Sequence, residues 1–429
     1  MEARLSNQVY QSLRAVYDAI DISKYQRLHT IVDQLSGLGV ECEPRLKEQL
    51  SRMDAAIDEW LANGSLSTDV QKKCKEILCY NTLSEVEAAC RLLDRGIHPI
   101  RLIVTDVDET LRWLRGTDNE IPEATIFALK RLYHRYPKMR FIINTGQTLE
   151  NIQGLIIQAF GREMVGSGRF SIIYEQGAGI FTPGGEKILL YAELDEKVLN
   201  LFDRVEKQIS ELVTRELAGG YRDFHLKGSE FNITLKPNDP DGSQRALEAS
   251  ETMMRALLRG LATVAAETIG EEPNEVLNEL TAHYRRNYPW LNEILEPSRR
   301  SPVSVSAALE ALLDEIDLIY FPADAVGLVP KELNKAAGLV RAIEALKIEH
   351  PCAAILGDHP ADLEMMTLAM DRGWGIPCCP DEASEAVLDF VRRQDGIVYR
   401  QGQAAFVFNA VYAFNLLRSK PEPEYRRNP

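Results

Sequence analysis

No stretch of this sequence is apolar for long enough to cross a bilayer as a helix, and its first residues, MEARLSNQVY, lack the basic start and apolar centre of a secretory signal. The expectation is a cytoplasmic chain. Positive charge is also short: 49 lysines and arginines stand against 64 aspartates and glutamates, a formal net charge of -15. Such a balance argues against a general binder of nucleic acid or of an anionic membrane, since both need a positive field. The seven cysteines form no even framework. Cys74, Cys79 and Cys90 have neither a paired CxxC nor a histidine pair nearby, so reduced core residues are expected in place of zinc ligands or disulfides. Cys378 and Cys379 are adjacent and read as structural. What remains is a chain of 429 residues with ordinary globular composition, long enough for a sizeable core and more than one domain.

The stretch that organises the rest is Arg101 to Leu111, RLIVTDVDETL. Leu102 to Val104 predict a strand buried on both faces, because a continuous run of apolar, branched residues suits that position. Residues two apart share a side in extended chain, so Asp106 and Asp108 are expected together at the strand's carboxyl end, the edge where open α/β sheets bind ligands. Two neighbouring carboxylates repel unless a cation lies between them. The pair therefore asks for a metal or a cationic group.

Ahead of this strand, residues 1–96 read as an all-helical domain of about five short helices, with Leu5, Tyr10, Leu13, Val16, Tyr17 and Ile20 near a 3.6-residue period. Gly37 and Gly39 are expected to end a second helix, Pro44 to start a third and Asn63-Gly64 to close it. Thr68 with Gln71, and Ser84 with Glu87, have the spacing of capping boxes. Such a domain either packs on the rest of the chain or offers a surface for a homo-oligomer or another partner.

Beyond the first strand, helix Pro122 to Tyr136 and strand Met139 to Asn144 lead to Thr145-Gly146, and a further strand ends at Tyr174. A threonine hydroxyl and backbone amides at a strand end suit a phosphate oxygen. From 189 to 326 the character changes to long helices with a few strand-like pieces, which predicts an inserted α+β unit. The first pattern resumes over 327–418, where Ala353 to Leu356 precede Gly357-Asp358-His359-Pro360-Ala361-Asp362. His359 reads as a loop residue. Residues 419–429 have too little apolar content to pack and are expected to be disordered.

Four separated segments thus bring complementary chemistry to the ends of strands. Asp106, Asp108, Asp358 and Asp362 offer hard oxygens that suit Mg²⁺, Lys335 can neutralise phosphate charge, and Thr145 can hydrogen-bond it. In this order the segments DVDET, NTGQT, Asn334-Lys335 and GDHPAD resemble the haloacid dehalogenase (HAD) superfamily of phosphohydrolases, over roughly residues 98–415. The resemblance implies an α/β fold with a Rossmann-like core in two parts, 97–188 and 327–418, and a C2-type cap between them. It implies Asp106 as nucleophile, Asp108 as general acid and base, and Thr145, Gly146 and Lys335 as phosphate ligands, with Lys331 a competitor for the lysine role. Asp106, Asp108, Asp358 and Asp362 would form the magnesium site. Arg222, Lys227, Glu230 and Asn232, around a cap strand, are candidates to touch substrate.

The cap position is similar to that of Cof-type, sucrose-phosphate and trehalose-phosphate phosphatases. This implies a Mg²⁺-dependent phosphatase of a small phosphorylated metabolite, foremost a sugar phosphate. A phosphotransferase or mutase on the same core is the enzymatic alternative, and a retired core that senses a phosphometabolite is the regulatory one. Two departures stand out. Glu109 occupies a place where many relatives have glycine, and Gln147 one where related phosphatases usually have arginine. Glu175-Gln176-Gly177 likewise replaces a usual Asn-Gly.

Overall fold

The computed structural model describes residues 2–37, 40–64, 66–112, 120–182, 185–189, 196–217, 224–227, 231–237, 244–287, 306–321 and 325–419. The tail from 420, together with Arg222 and Glu230, lies outside the described residues, as does the side chain of Lys227. Five helices come first: α1 (Glu2–Ala19), α2 (Ile22–Gly37), α3 (Pro44–Ala62), α4 (Thr68–Leu78) and α5 (Leu83–Asp94). Pro44 opens α3 and Asn63 caps its end, as the punctuation predicts. The other caps lie slightly upstream of expectation. Ser67 accepts from the amide of Val70 to start α4, and the capping box of α5 joins Thr82 to Glu85, where Ser84 and Glu87 were the expected pair. Glu87 instead faces out toward Arg91, while Glu85 is buried and also accepts from Asn409.

The core then alternates: β1 (Leu102–Thr105), α6 (Glu123–Arg135), β2 (Arg140–Asn144), α7 (Leu149–Phe160), α8 (Arg162–Val165), β3 (Phe170–Tyr174), β4 (Gly179–Phe181) and β5 (Lys187–Leu189). After an insertion it resumes with α13 (Lys335–Ala345), β10 (Ala353–Leu356), α14 (Pro360–Asp371), β11 (Gly375–Pro380), α15 (Glu385–Arg393), β12 (Ile397–Tyr399) and α16 (Ala405–Arg418). One eight-stranded sheet results, in the order β12-β11-β10-β1-β2-β3-β4-β5. From β12 to β3 all neighbours are parallel, and β4 and β5 run antiparallel at one edge. The central strand β1 lies between β10 and β2, so the three segments with candidate site residues end side by side.

Strand alternation divides the sheet between two cores. Ile103, Phe141, Ile143 and Leu356 face α6, α7, α16 and the N-terminal helices. Leu102, Val104, Ile142 and Ile355 face α13, α14 and α15. Burial on both faces is why β1 reads as an unbroken apolar run.

The insertion holds α9 (Glu196–Leu217), β6 (Phe224–Lys227), β7 (Ile233–Pro237), α10 (Gln244–Ile269), α11 (Pro273–Asn287), α12 (Ala307–Leu313), β8 (Ile316–Phe321) and β9 (Ala325–Pro330). Its antiparallel sheet, ordered β6-β7-β9-β8, has a separate apolar core around Leu235, Met253, Leu257 and Leu328. That sheet runs on through Pro330, past the boundary expected at 326.

Among the described residues, the N-terminal helices carry no core of their own. Val9, Leu13, Ile57 and Ile77 belong to the same apolar cluster as Phe408, Val411 and Phe414 of α16. Polar ties reinforce this seam. Asn415, 5% exposed, accepts from the amide of Ile100 at 2.8 Å and donates to its carbonyl at 2.7 Å, just ahead of β1. Asn415→Ala leaves both backbone groups buried without a partner, and unfolding free energy is expected to fall by about 2–4 kcal/mol. Thermal or urea denaturation measures this, and an unchanged midpoint would show that the pair does not support β1.

Candidate active site

Each candidate segment meets the sheet's carboxyl edge in a different way. After β1 the chain turns tightly, with the amides of Leu111 and Arg112 both donating to the carbonyl of Val107. Glu109 stands at the corner with φ +54, a left-handed conformation in which glycine has no steric penalty. Here Gln401 holds the glutamate by donating to its carbonyl at 2.7 Å and its carboxylate at 2.9 Å. After β10, Gly357 lies so close to Asp362 that an added Cβ would fall 2.4 Å from the Cβ of Asp362. Asn334 caps α13, accepting from the amide of Ala337, and thereby puts Lys335 in the first turn. Asn144, at the end of β2, donates to the carbonyl of Lys335 at 2.9 Å.

These constraints bring four of the predicted residues together. The Nζ of Lys335 lies 2.9 Å from Asp106 and 2.6 Å from Asp362. Lys335, Asp106 and Asp362 are 4%, 7% and 0% exposed. Ligand oxygens of Asp106, Asp358 and Asp362 all lie within 4.8 Å of one another. Asp362 is fully committed, since its other oxygen accepts from the amides of Asp358 and His359. Thr110 donates to Asp358 at 2.7 Å. Asp108, by contrast, is not among the clustered carboxylates: Arg112 and Gln147 hold it.

Thr145 is buried at the end of β2, and its hydroxyl accepts from the amide of Gln147 at 3.2 Å. Gly146 follows it, facing the side chain of Gln176. Lys331, the competitor, is exposed, and its amide pairs with Glu315. Lys335 is the lysine at the cluster. His359 caps α14 by accepting from Ala361, and burial lowers its pKa to about 4, which keeps it neutral.

Of the inserted unit's candidates, Asn232 is buried and donates to the carboxylate of Glu175 at 3.4 Å, beside the amide of Phe231 at 2.9 Å. Glu175 belongs to the core, in the turn after β3, and it too has a positive φ, +46. Gly177 follows at φ +102, packed on α13 so tightly that a Cβ would meet the carbonyl of Asn334 at 2.8 Å. Glu175, Thr110 and Arg112 were not singled out from the sequence as site residues. Thr110 was visible inside DVDET. Arg112, four residues past Asp108, has no local signal, since its contact depends on the turn that brings it back.

The electrostatics follow from burial. Desolvation raises the carboxyl pKa of Asp106, against the pull of Lys335 and with a further push from Asp362 and Asp108. Desolvation raises Asp358 as well, and Asp362 and Asp106 add to it. Burial also disfavours the Lys335 ammonium, but Asp106 and Asp362 outweigh it and the lysine stays charged. With all three carboxyls ionised, the one ammonium leaves negative charge unbalanced. That donor set, all hard oxygen, fits a small divalent cation.

Two outcomes are expected. A carboxyl whose folded pKa exceeds its unfolded value stabilises the fold fully below the unfolded value, and that contribution is lost as pH rises through the folded one. Asp106 and Asp358 rise from 3.8 to about 7 and about 8. In chelator, the melting temperature should therefore decline across that window, and added Mg²⁺ should restore it most at the alkaline end; a flat profile refutes the unbalanced cluster. Glu175→Ala should speed amide hydrogen exchange near residues 231–235 by about tenfold, the loss of roughly one hydrogen bond's worth of protection. Unaltered exchange would mean that Glu175 does not hold that strand.

A family profile described as haloacid dehalogenase-like hydrolase matches residues 103–392. A search of curated proteins finds no match. Solved structures give looser likenesses. A haloacid dehalogenase-like hydrolase from Bacteroides thetaiotaomicron is 14% identical with a TM-score of 0.43, covering 73% of this chain and 98% of its own. The sucrose-phosphatase of Synechocystis is 14% identical with a TM-score of 0.39, covering 74% and 99%. The trehalose-6-phosphate phosphatase of Aspergillus fumigatus is 12% identical with a TM-score of 0.40, covering 78% and 98%. Likenesses at these scores bear on neither substrate nor mechanism. The profile match is the decisive one: it runs from β1, which delivers Asp106, to α15, and spans more than half of the sequence. The chain belongs to the haloacid dehalogenase-like hydrolases.

Proposed function

We propose that this hydrolase is a Mg²⁺-dependent phosphatase of a small phosphorylated metabolite, with sugar phosphates the leading substrate class. The observation that carries the reading is the buried Lys335 between Asp106 and Asp362, with Asp358 alongside. A lysine fixed there supplies positive charge to an arriving phosphate, and the carboxylate beside it can act as the nucleophile. Asp106, Asp358 and, less directly, Asp362 would hold the metal, to which Asp108 was also assigned from sequence. Bound Mg²⁺ would neutralise phosphate charge and orient the reacting groups.

The chain's own groups then have distinct tasks. The Oδ of Asp106 forms a bond to phosphorus as the bond from phosphorus to the leaving oxygen breaks, and Asp108 gives that oxygen its proton. In the second step Asp108, now a carboxylate, takes a proton from water as the water oxygen attacks phosphorus. The bond to Asp106 breaks and inorganic phosphate leaves. Thr145 and Gly146 would hydrogen-bond the phosphoryl oxygens. Asn232, at the face of the inserted unit against the core, supports a role for that unit in choosing the substrate; Arg222, Lys227 and Glu230 are proposed alongside it on sequence grounds.

The test is phosphate release from a panel of sugar phosphates and other phosphometabolites with Mg²⁺. Asp106→Asn should lower turnover by about a thousandfold or more, and chelator should remove the activity. Transfer of the phosphoryl group to a second metabolite without free phosphate would favour a transferase. Binding of a phosphometabolite with no turnover by the unsubstituted protein would favour a sensor.

A further inference from the structure

Asp108 is held more completely than a half-exposed carboxylate needs to be. The Nε and Nη2 of Arg112 both lie 2.7 Å from Oδ1, and the Nε2 of Gln147 donates to Oδ2 at 2.5 Å. Two different loops supply these partners. Arg112 is returned to Asp108 by the turn after β1, where the two residues form an isolated bridge. Gln147 is fixed by its own backbone: its amide donates to the Thr145 hydroxyl and its carbonyl accepts from the amide of Glu175.

A lone aspartate at this exposure would sample several rotamers. Proton transfer in flight needs the donor within hydrogen-bond reach of the leaving oxygen, and small misplacements cost rate. We infer that Arg112 and Gln147 are positioning residues that aim the Asp108 carboxyl at the leaving-group oxygen, a role that rests on the acid and base function proposed for Asp108. Neither residue needs to touch the phosphate. Two guanidinium nitrogens anchor Oδ1 and the glutamine amide anchors Oδ2, so the two ends of the carboxyl group are held from different loops and its rotation is restrained. Oδ2, which takes one hydrogen bond where Oδ1 takes two, is the oxygen with capacity left to face substrate.

The inference has a signature that general damage to the site lacks. The value of kcat/KM reports the steps through leaving-group departure. An alkyl phosphate such as a sugar phosphate leaves as a poor alkoxide and needs the proton. A p-nitrophenyl phosphate leaves as a stable phenolate and does not. The measured quantity is the ratio of kcat/KM for the alkyl over the aryl substrate. Asp108→Asn sets the scale. Arg112→Ala and Gln147→Ala should each lower the ratio about ten- to a hundredfold, through kcat more than KM, and Arg112→Lys should recover part of it. Should Arg112→Ala fail to fold by circular dichroism, Gln147→Ala, a smaller change on the opposite oxygen, carries the test. If Asp108→Asn lowers the ratio and Arg112→Ala and Gln147→Ala slow both substrates equally, the positioning role is overturned and the acid role stands. If Asp108→Asn leaves the ratio unchanged, the acid role fails and the positioning role fails with it.

Discussion

Burying Lys335 would cost several kcal/mol of lost hydration if its Nζ did not lie 2.9 Å from Asp106 and 2.6 Å from Asp362. The ion pairs offset that cost and, in doing so, fix three remote segments against each other. Asp106 leaves β1, Asp362 opens α14, and Lys335 opens α13 with its carbonyl tied to Asn144 of β2. Because β10, β1 and β2 are neighbours in one parallel sheet, the lysine draws together loops already delivered to one edge. It also explains why Asp362 can be wholly buried. One of its oxygens meets the ammonium and the other meets two backbone amides, whereas Asp106 meets Lys335 through Oδ2 and Asp358 meets Thr110 through Oδ1.

Around this centre the chain holds conformations that glycine would adopt without strain. Glu109, Glu175 and Gln176 have φ of +54, +46 and +58, and non-glycine residues in that region cost of order 1–3 kcal/mol each. In two of the three, the side chain that causes the strain makes the contact that offsets it. Glu109 is held by Gln401, and Glu175 accepts from Phe231 and Asn232 of the inserted unit. Glycine at either place would relax the turn and lose the tie. The Glu175 contact also has reach: its backbone amide binds Gln147, and Gln147 binds Asp108. Continuous hydrogen bonding thus runs from the inserted unit to the second aspartate.

Much of this was legible in the sequence because it depends on short-range pattern. The apolar run before Asp106 predicts a doubly buried strand, and the helices ahead of it follow their period. The change of character after 189 marks the insertion. Segments that were not foreseen are short or depend on remote partners. The edge strands β4 and β5 and the three-residue β12 carry too little pattern to stand out, and the buried run of β9 is interrupted by Gly327 and ends in Pro330, both weak strand signals. The helix α16 is apolar nearly all round, since it packs between α5, α6 and the sheet, and a helix without a polar face has no amphipathic signal. At the site, residue types were readable and partnerships were not. Nothing local in the sequence says that Arg112 turns back to Asp108, or that Glu175 meets a strand more than fifty residues ahead.

The N-terminal helices show why amphipathicity alone cannot assign a surface. Their apolar stripes have the spacing expected of a partner interface, yet Val9, Leu13, Val16, Ile57 and Ile77 are spent inside the chain's own core. Asn81 donates to the backbone of Asn409 in α16, which in turn donates from its side chain to Glu85. Arg131 of α6 reaches the same asparagine and stacks over Tyr80. The helices therefore cover one face of the eight-stranded sheet as its outer layer, with α16 as the shared wall. Because Asn415 joins that wall to the residue just ahead of β1, the placement of the strand that presents Asp106 depends on helices that contribute no group to the cluster.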